Sequence, residues 1–244
     1  MRKLVLGGFL LSLLCSNGLQ AQAIGGGGGG GAPAGGFNFL GGLATIQQKN
    51  SKSEMEGTFY LDDEWREGDV LLTNELLIED YPLKFDLQYN MLEFKFGDDI
   101  KVCPAHRIAK FSWRGADTQL RQFVNCKDFE FNDDVRLTGF FEVLYDQEGS
   151  AKLLAKTNYD IAEPTYNVAL DVGEKNSRIV KSDEYYLVVE KVAVPFTKSK
   201  AGNLALFQEN EGNLKKYLKS NKLKFSKKED LIQIVKYYDS LLAK

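Results

Sequence analysis

The stretch LKFDLQYNMLEFKF, residues 83–96, decides the fold because apolar and polar side chains alternate along it. Every second residue from Leu83 to Tyr89 is apolar, and the alternation resumes after Asn90. A period of two places one set of side chains in a core and the other in water, which is typical of antiparallel strands. The sequence therefore predicts two neighbouring strands here, with Leu83 and Tyr89 on the same core face.

Similar short apolar runs, separated by polar turns, recur on both sides of this stretch. Further strands are predicted at residues 69–73, 75–79, 107–113, 120–124, 129–131, 137–145, 151–156 and 185–194. Short strands at nearly regular spacing are typical of an antiparallel meander. We therefore expect a mainly β domain over residues 54–198 that closes into a barrel or a sandwich.

The last forty residues change to a helical period. The segment SKKE at 226–229 fits a capping box, and apolar residues at helical spacing follow as far as Leu242. Leu214 and Leu218 indicate a shorter helix upstream. The sequence thus predicts a two-helix cap over residues 202–244. Residues 203–244 carry nine lysines and five acids, whereas the whole chain has a net charge of −3. The lysines lie mainly opposite the leucines, which favours a solvated face over anything beyond peripheral membrane contact.

The N-terminus has the three parts of a secretory signal. A basic start, MRK, precedes an apolar run at 4–14 and an A-x-A site that ends at Ala23. This run is too short to span a bilayer, which needs about 20 residues. We expect a signal peptide over residues 1–23 with cleavage after Ala23. The alternative, lipidation at Cys15, is disfavoured because Leu14 stands where a small residue is expected.

Residues 24–53 are predicted to form a flexible linker. An unbroken glycine run occupies 25–31, and polyglycine has high backbone entropy and no side chains to bury. A phosphate-binding loop would need Gly-Lys-Ser/Thr after the glycines, and that motif is absent from the sequence.

Removal of the signal leaves two cysteines, Cys103 and Cys126. In an oxidising compartment they are a disulfide candidate, and the alternative is two buried free thiols. His106, the single histidine, has C-x-x-H spacing from Cys103, but a structural zinc site needs four ligands. No G-x-S-x-G motif supports a catalytic triad either. We predict no catalytic residue, no metal site and no cofactor.

Acidic clusters occur at 62–64, 98–99 and 133–134. Paired carboxylates can hydrolyse glycosides or bind calcium. Adjacent residues on a strand point to opposite faces, however, and acids in turns usually cap the backbone and face solvent. These clusters are therefore interpreted mainly as turn acids.

Four segments together resemble a known group of proteins. They are YLDDEW at 60–65 with Gly68, FFEVL at 140–144 followed by LL at 153–154, YLKSNK at 217–222, and EDL at 229–231 leading to the tyrosines at 237–238. The combination resembles uncharacterised exported β-rich proteins of the Bacteroidetes that have a Lys-rich helical C-terminus. The resemblance implies the periplasm or cell surface of a Gram-negative bacterium, and it implies no mechanism.

The expected function is an exported, non-enzymatic binding or interaction module at the cell envelope, with an envelope protein or a ligand as its partner. The alternative is a periplasmic carrier of an apolar ligand in a half-open β-barrel. A hydrolase that uses acidic residues is a third possibility. We expect no nucleic-acid partner, because export removes the chain from most nucleic acid.

Overall fold

The computed structural model describes residues 38–40, 43–45, 55–131, 136–147, 150–167 and 169–243. The predicted signal peptide, its cleavage site at Ala23 and Cys15 lie outside the described residues, as do the glycine run and the acids at 133–134. Two short strands, Asn38–Leu40 and Leu43–Thr45, lie within the range predicted as linker. Their sequences, NFL and LAT, lack the glycines on which that prediction rests. No helix among the described residues is long and apolar enough to cross a bilayer.

The described chain forms fourteen strands followed by three helices. The strands are β1 (Asn38–Leu40), β2 (Leu43–Thr45), β3 (Met55–Glu56), β4 (Arg66–Leu72), β5 (Leu77–Asp86), β6 (Met91–Phe96), β7 (Asp99–Pro104), β8 (Ile108–Arg114), β9 (Leu120–Asn125), β10 (Glu130–Phe131), β11 (Phe140–Tyr145), β12 (Ala151–Ala162), β13 (Ser177–Val189) and β14 (Val192–Pro195). The helices are α1 (Lys200–Ala205), α2 (Glu211–Asn221) and α3 (Lys228–Leu242).

All fourteen strands belong to one sheet, in the order β1-β2-β7-β6-β5-β4-β8-β9-β11-β12-β13-β14-β10, with β3 paired to β13. The strand pairs are antiparallel except β10 with β14 and β3 with β13, which are parallel. Neighbours in sequence are mostly neighbours in the sheet, as expected when short polar turns connect antiparallel strands. The prediction of a mainly β, antiparallel fold with a helical C-terminus is confirmed.

The segment between β3 and β4 closes the sheet on itself. Its Leu61 N–H donates to the carbonyl of Phe85 at 2.8 Å, and the Leu87 N–H donates to the carbonyl of Phe59 at 3.0 Å. On its other side, the Phe59 ring meets the Tyr159 ring edge to face at 5.0 Å between centroids. A continuous path therefore runs from β5 through β4, β8, β9, β11, β12 and β13 to β3 and back to β5. This closure corresponds to the barrel alternative.

Three groups of buried side chains hold the fold together. The first lies along β4 to β9 and includes Leu83, Phe94 and Trp113, all at most 1% exposed. The second joins β11 to β13 with the three helices, and Leu231 and Ile234 of α3 are fully buried in it. The third covers the opposite face of β11 to β14. The helices therefore pack on one face of the last strands, and their apolar stripes supply most of that cluster.

The C-terminal segment differs from its prediction in two ways. It contains a third helix, α1, which is only six residues long and begins where the Ser199 hydroxyl accepts a hydrogen bond from the Gly202 N–H. A helix this short has no clear apolar period. The prediction of a capping box at 226–229 is also wrong, because Lys227 occupies the N-cap of α3 and no side chain caps the first turn of that helix.

The opening stretch forms strands over 77–86 and 91–96, with a turn between them. Leu83 is buried as predicted, but Tyr89 lies in the turn and is 63% exposed. The Asp86 carboxylate accepts hydrogen bonds from the N–H groups of Gln88 and Tyr89, at 2.8 and 3.0 Å. This local capping by an aspartate competes with continued strand pairing and ends β5 three residues before the apolar alternation ends.

Candidate functional site

A cavity of about 220 Å³ lies between the end of β5, β11 and β12. Phe85, Phe123 and Phe140 form its apolar floor. Phe85 and Phe140 meet edge to face, with ring centroids 5.2 Å apart. Each of these three side chains occupies an inward position of its strand, and together they make this floor rigid and aromatic.

An ion pair stands at the inner end of this cavity. Arg121 on β9 donates to both carboxylate oxygens of Glu142 on β11, at 2.8 and 2.9 Å. The Arg121 guanidinium also lies over the Phe123 ring, 5.2 Å from its centroid. Burial by itself would lower the pKa of Arg121, but the hydrogen bonds and charge of Glu142 outweigh it and raise that pKa. Arg121 and Glu142 therefore form a two-bonded ion pair.

A second cleft, of about 490 Å³, lies on the far side of the ion pair. Glu142 lines both spaces, while Asp62 and Lys228 line only the second. Asp62 accepts two hydrogen bonds from Arg66, at 2.8 and 3.1 Å. Burial opposes ionisation of Asp62, but the bonds from Arg66 and from a backbone N–H lower its pKa overall. Asp62 and Glu142 are each held by an arginine, whereas Asp117, which also lines this cleft, accepts a hydrogen bond from the Gln119 N–H at 3.1 Å.

The mouth of the first cavity is polar and centres on Gly139. A Cβ at Gly139 would lie 2.9 Å from Asn90 Oδ1 and 3.6 Å from Lys156 Nζ, so these two polar groups pack closely over this residue and leave no room for a side chain. The Gly139 φ is +87°, a conformation that other residues rarely adopt. Gln88 and Asn158 also line the cavity. Lys156 has no ion pair with any described residue.

A separate group of buried acids lies on the face of β5 and β6 that points away from the first core cluster. Asp86 is 9% and Glu93 is 6% exposed, and Tyr60 Oη donates to Glu93 Oε1 at 3.1 Å. Burial raises the pKa of both carboxyls, and the charge of Asp86 adds to the effect on Glu93. Neither acid lines the cavity or the second cleft. Access to these carboxyls is therefore poor.

The disulfide candidates, Cys103 and Cys126, are free and buried. Cys103 packs in the first core cluster and Cys126 in the third. Of the two alternatives left by the sequence, the structure has the pair of buried thiols, and the bridge is not formed. Burial raises the pKa of Cys103 to about 11 and that of Cys126 to about 12.

The remaining candidate residues are dispersed. His106 is exposed in a 3-10 turn after β7, and the acids at 98–99 are exposed, Asp98 in the turn before β7 and Asp99 as the first residue of that strand. Asp63 bonds with Thr58 and with Lys181, whose Nζ lies 3.2 Å away. Among the described residues, no group of three or more His, Cys, Asp or Glu side chains is arranged to hold a metal ion.

Sequence reasoning did not identify the Arg121–Glu142 pair or the cavity. One signal was present, because Glu142 interrupts the otherwise apolar run FFEVLY of β11. A charged residue inside such a run is usually buried and paired. Its partner is 21 residues away on another strand, so only the sheet register brings the two together.

No family model, no curated protein and no solved structure matches this chain.

Proposed function

We propose that this protein is a non-enzymatic binding module of the cell envelope and that the 220 Å³ cavity is its ligand site. One observation carries the proposal: an aromatic space opens through a mouth whose polar groups, including Lys156 and the Asn90 side chain, have no partner in the described chain. Pockets of this kind, apolar with a few convergent polar groups, are the usual form of a small-molecule site. The envelope location is supported by the secretory signal in the sequence.

The charged groups favour binding over hydrolysis. An acid-dependent hydrolase needs two carboxyl groups in one cleft, one of them with a raised pKa so that it can donate a proton. Asp62 and Glu142 do line one cleft, but each is bonded through both oxygens to an arginine. The pKa of Asp62 is moreover lowered, chiefly by its bonds to Arg66 against the effect of burial. Neither acid is positioned as a proton donor.

The proposal is tested by filling the cavity. Ala155 lines it and is 2% exposed, so Ala155→Leu would occupy part of the space without changing any charge. A library of small organic compounds is screened against the full chain by saturation-transfer NMR, with circular dichroism as the check on folding. We expect hits with the native chain that Ala155→Leu loses. Ala169→Leu, at an exposed loop position, is the matched control and should keep them. Hits that survive in folded Ala155→Leu, or no hits at all, would refute the proposal.

An apolar-ligand carrier is a second candidate, favoured by a different space. An apolar groove of about 410 Å³ lies between β14 and α1, lined by Phe131, Leu137, Tyr186 and Leu206 among others. The 220 Å³ cavity is too small for a lipid-sized ligand, because pockets for ligands of that size usually measure about 300–1,000 Å³. Organic extraction of protein purified from its native source, followed by mass spectrometry, should recover a stoichiometric lipid if this candidate is correct. An extract free of lipid would exclude it.

A further inference from the structure

The size of the cavity limits its ligand to about one ring. Apolar protein cavities of about 150 Å³ bind benzene, and this one measures about 220 Å³. The additional space accommodates one small polar substituent. Phe85 and Phe140 meet edge to face, and Phe123 and Phe140 each pack on Phe111, so these rings hold one another in place and form a rigid apolar surface.

The charges of the lining determine the sign of that substituent. Glu142 and Lys156 are the charged residues among those described that line the cavity. Glu142 is neutralised by its two bonds to Arg121 at the inner end. Lys156 has no ion pair and lies at the mouth beside Gly139. Among the described lining residues, Lys156 therefore has the one charge without an ion pair, although Glu184 is its cross-strand neighbour on β13.

Neutral hydrogen-bond donors surround the same entrance. Gln88, Asn158 and Thr138, which carry amide or hydroxyl donors, line the cavity together with Asn90, whose Oδ1 is the atom that faces Gly139. An ammonium together with amide and hydroxyl donors is suited to a carboxylate, whose two oxygens accept several hydrogen bonds at once.

We propose that the ligand is a small monocyclic organic anion, an aromatic carboxylate, whose ring lies against the phenylalanine floor and whose carboxylate contacts Lys156. This inference rests on the proposed function, because it assigns a ligand class to the same cavity. The opposite orientation is disfavoured, since it would place the carboxylate beside Glu142.

The inference is tested with three probes on the full chain: benzoate, the neutral isostere benzamide, and acetate, which has the charge but no ring. Dissociation constants are measured by NMR titration at low salt. We expect benzoate to bind about tenfold or more tightly than either benzamide or acetate, which corresponds to one charge-assisted hydrogen bond and to burial of one ring.

Two variants test whether the preference for benzoate depends on Lys156. Lys156→Met keeps most of the side-chain volume and removes the charge, so the preference for benzoate over benzamide should disappear while benzamide binding is retained. Lys110→Met removes an exposed lysine on β8, outside the cavity, and should preserve the preference. Circular dichroism confirms that both variants are folded.

The outcomes separate this inference from the proposed function. Equal binding of benzoate and benzamide, or a preference that survives Lys156→Met, overturns the ligand class and leaves a binding cavity intact. Equal binding of acetate and benzoate overturns the role of the phenylalanine floor. Absence of binding by any probe, together with no hits in the wider screen, overturns the proposed function itself.

Discussion

Substitution of Asp239 by alanine should be among the most damaging single changes outside the apolar core. Asp239 lies on α3 and is 9% exposed. Its Oδ2 accepts a hydrogen bond from Tyr145 Oη at 3.0 Å, and its Oδ1 accepts one from the Ala151 N–H at 2.9 Å. These bonds connect the last helix to both strands of the β11–β12 hairpin. The side chain therefore joins two parts of the chain that are about 90 residues apart.

The magnitude follows from the groups left behind. Each hydrogen bond to a charged acceptor contributes about 1.5–3 kcal/mol, and a buried donor without a partner retains its desolvation cost. In Asp239→Ala the fully buried Ala151 N–H has no acceptor. Relief from burying a carboxylate offsets part of the loss. We expect the free energy of unfolding to fall by about 2–4 kcal/mol, a large fraction of the about 5–15 kcal/mol typical of a domain.

Two further variants separate the contributions of the two hydrogen bonds to the free energy of unfolding. Asp239→Asn keeps an oxygen for the Ala151 N–H and should cost about 1–2 kcal/mol. Tyr145→Phe keeps the hydrogen bond from the Ala151 N–H and removes only the Tyr145 hydroxyl, at a cost of about 1.5–3 kcal/mol. Because Tyr145 and Asp239 interact directly, the double variant Tyr145→Phe/Asp239→Ala should be less destabilised than the sum of the singles.

Urea unfolding followed by far-UV circular dichroism measures these free energies. Glu229→Ala is the matched control, since it removes an exposed acid from the first turn of the same helix and should cost at most about 1 kcal/mol. A loss for Asp239→Ala no larger than the loss for Glu229→Ala would refute the reasoning. Strict additivity in the double variant would refute the pairwise bond.

Iodoacetamide at about pH 8 should label Cys103 and Cys126 only after unfolding, because burial raises the pKa of each thiol above its usual value of about 8.5; peptide mass spectrometry that finds rapid labelling of the native chain would contradict this. Burial raises the pKa of Glu93, so the protonated Glu93 contributes stability that is fully present below the unfolded pKa of about 4.3. The native chain loses this stability as pH rises through the folded pKa, whereas a glutamine has no proton to lose. The unfolding free energy of Glu93→Gln should therefore increase relative to that of the native chain between about pH 4 and pH 7. A difference in unfolding free energy that does not change with pH would argue against it. Gly68→Ala should destabilise by about 1–3 kcal/mol, since a Cβ there would lie 2.0 Å from a carbonyl oxygen of β8. Gly212→Ala in α2, where that space is open, should instead stabilise by up to about 1 kcal/mol. Thermal unfolding compares these two variants, and effects of the same sign would contradict both.

The sequence predicted the sheet well where the structure depends on local alternation. Leu83 and Leu92 are fully buried, and both occupy core positions of the period-two stretch. The same rule failed at Tyr89, because the Asp86 carboxylate bonds the next backbone N–H groups and ends the strand. Side-chain capping of this kind overrides periodicity, and nothing in the apolar pattern reveals it.

The site could not be predicted because it depends on register and closure. Arg121 and Glu142 are adjacent only because β9 pairs with β11, and Phe85 faces Ala155 across the cavity only because the sheet closes through 55–61. The disulfide prediction met the same obstacle. Cysteine count and compartment made Cys103 and Cys126 candidates, but Cys103 on β7 and Cys126 in the 3-10 turn after β9 lie in different core clusters. Composition does not specify which face of a sheet a residue occupies.

The Arg121–Glu142 ion pair is only partly buried, with its two side chains 27% and 11% exposed, so its contribution to stability is small. Replacing a buried salt bridge by apolar residues of similar volume is often neutral or stabilising by about 1–4 kcal/mol. Apolar residues at positions 121 and 142 would continue the phenylalanine floor toward the second cleft. The charged pair instead keeps the inner end polar and locally neutral, so that it neither attracts nor repels a ligand by net charge. Under the proposed function, selection by charge is left to Lys156, and an anion with an apolar body is the ligand that we expect to satisfy both ends.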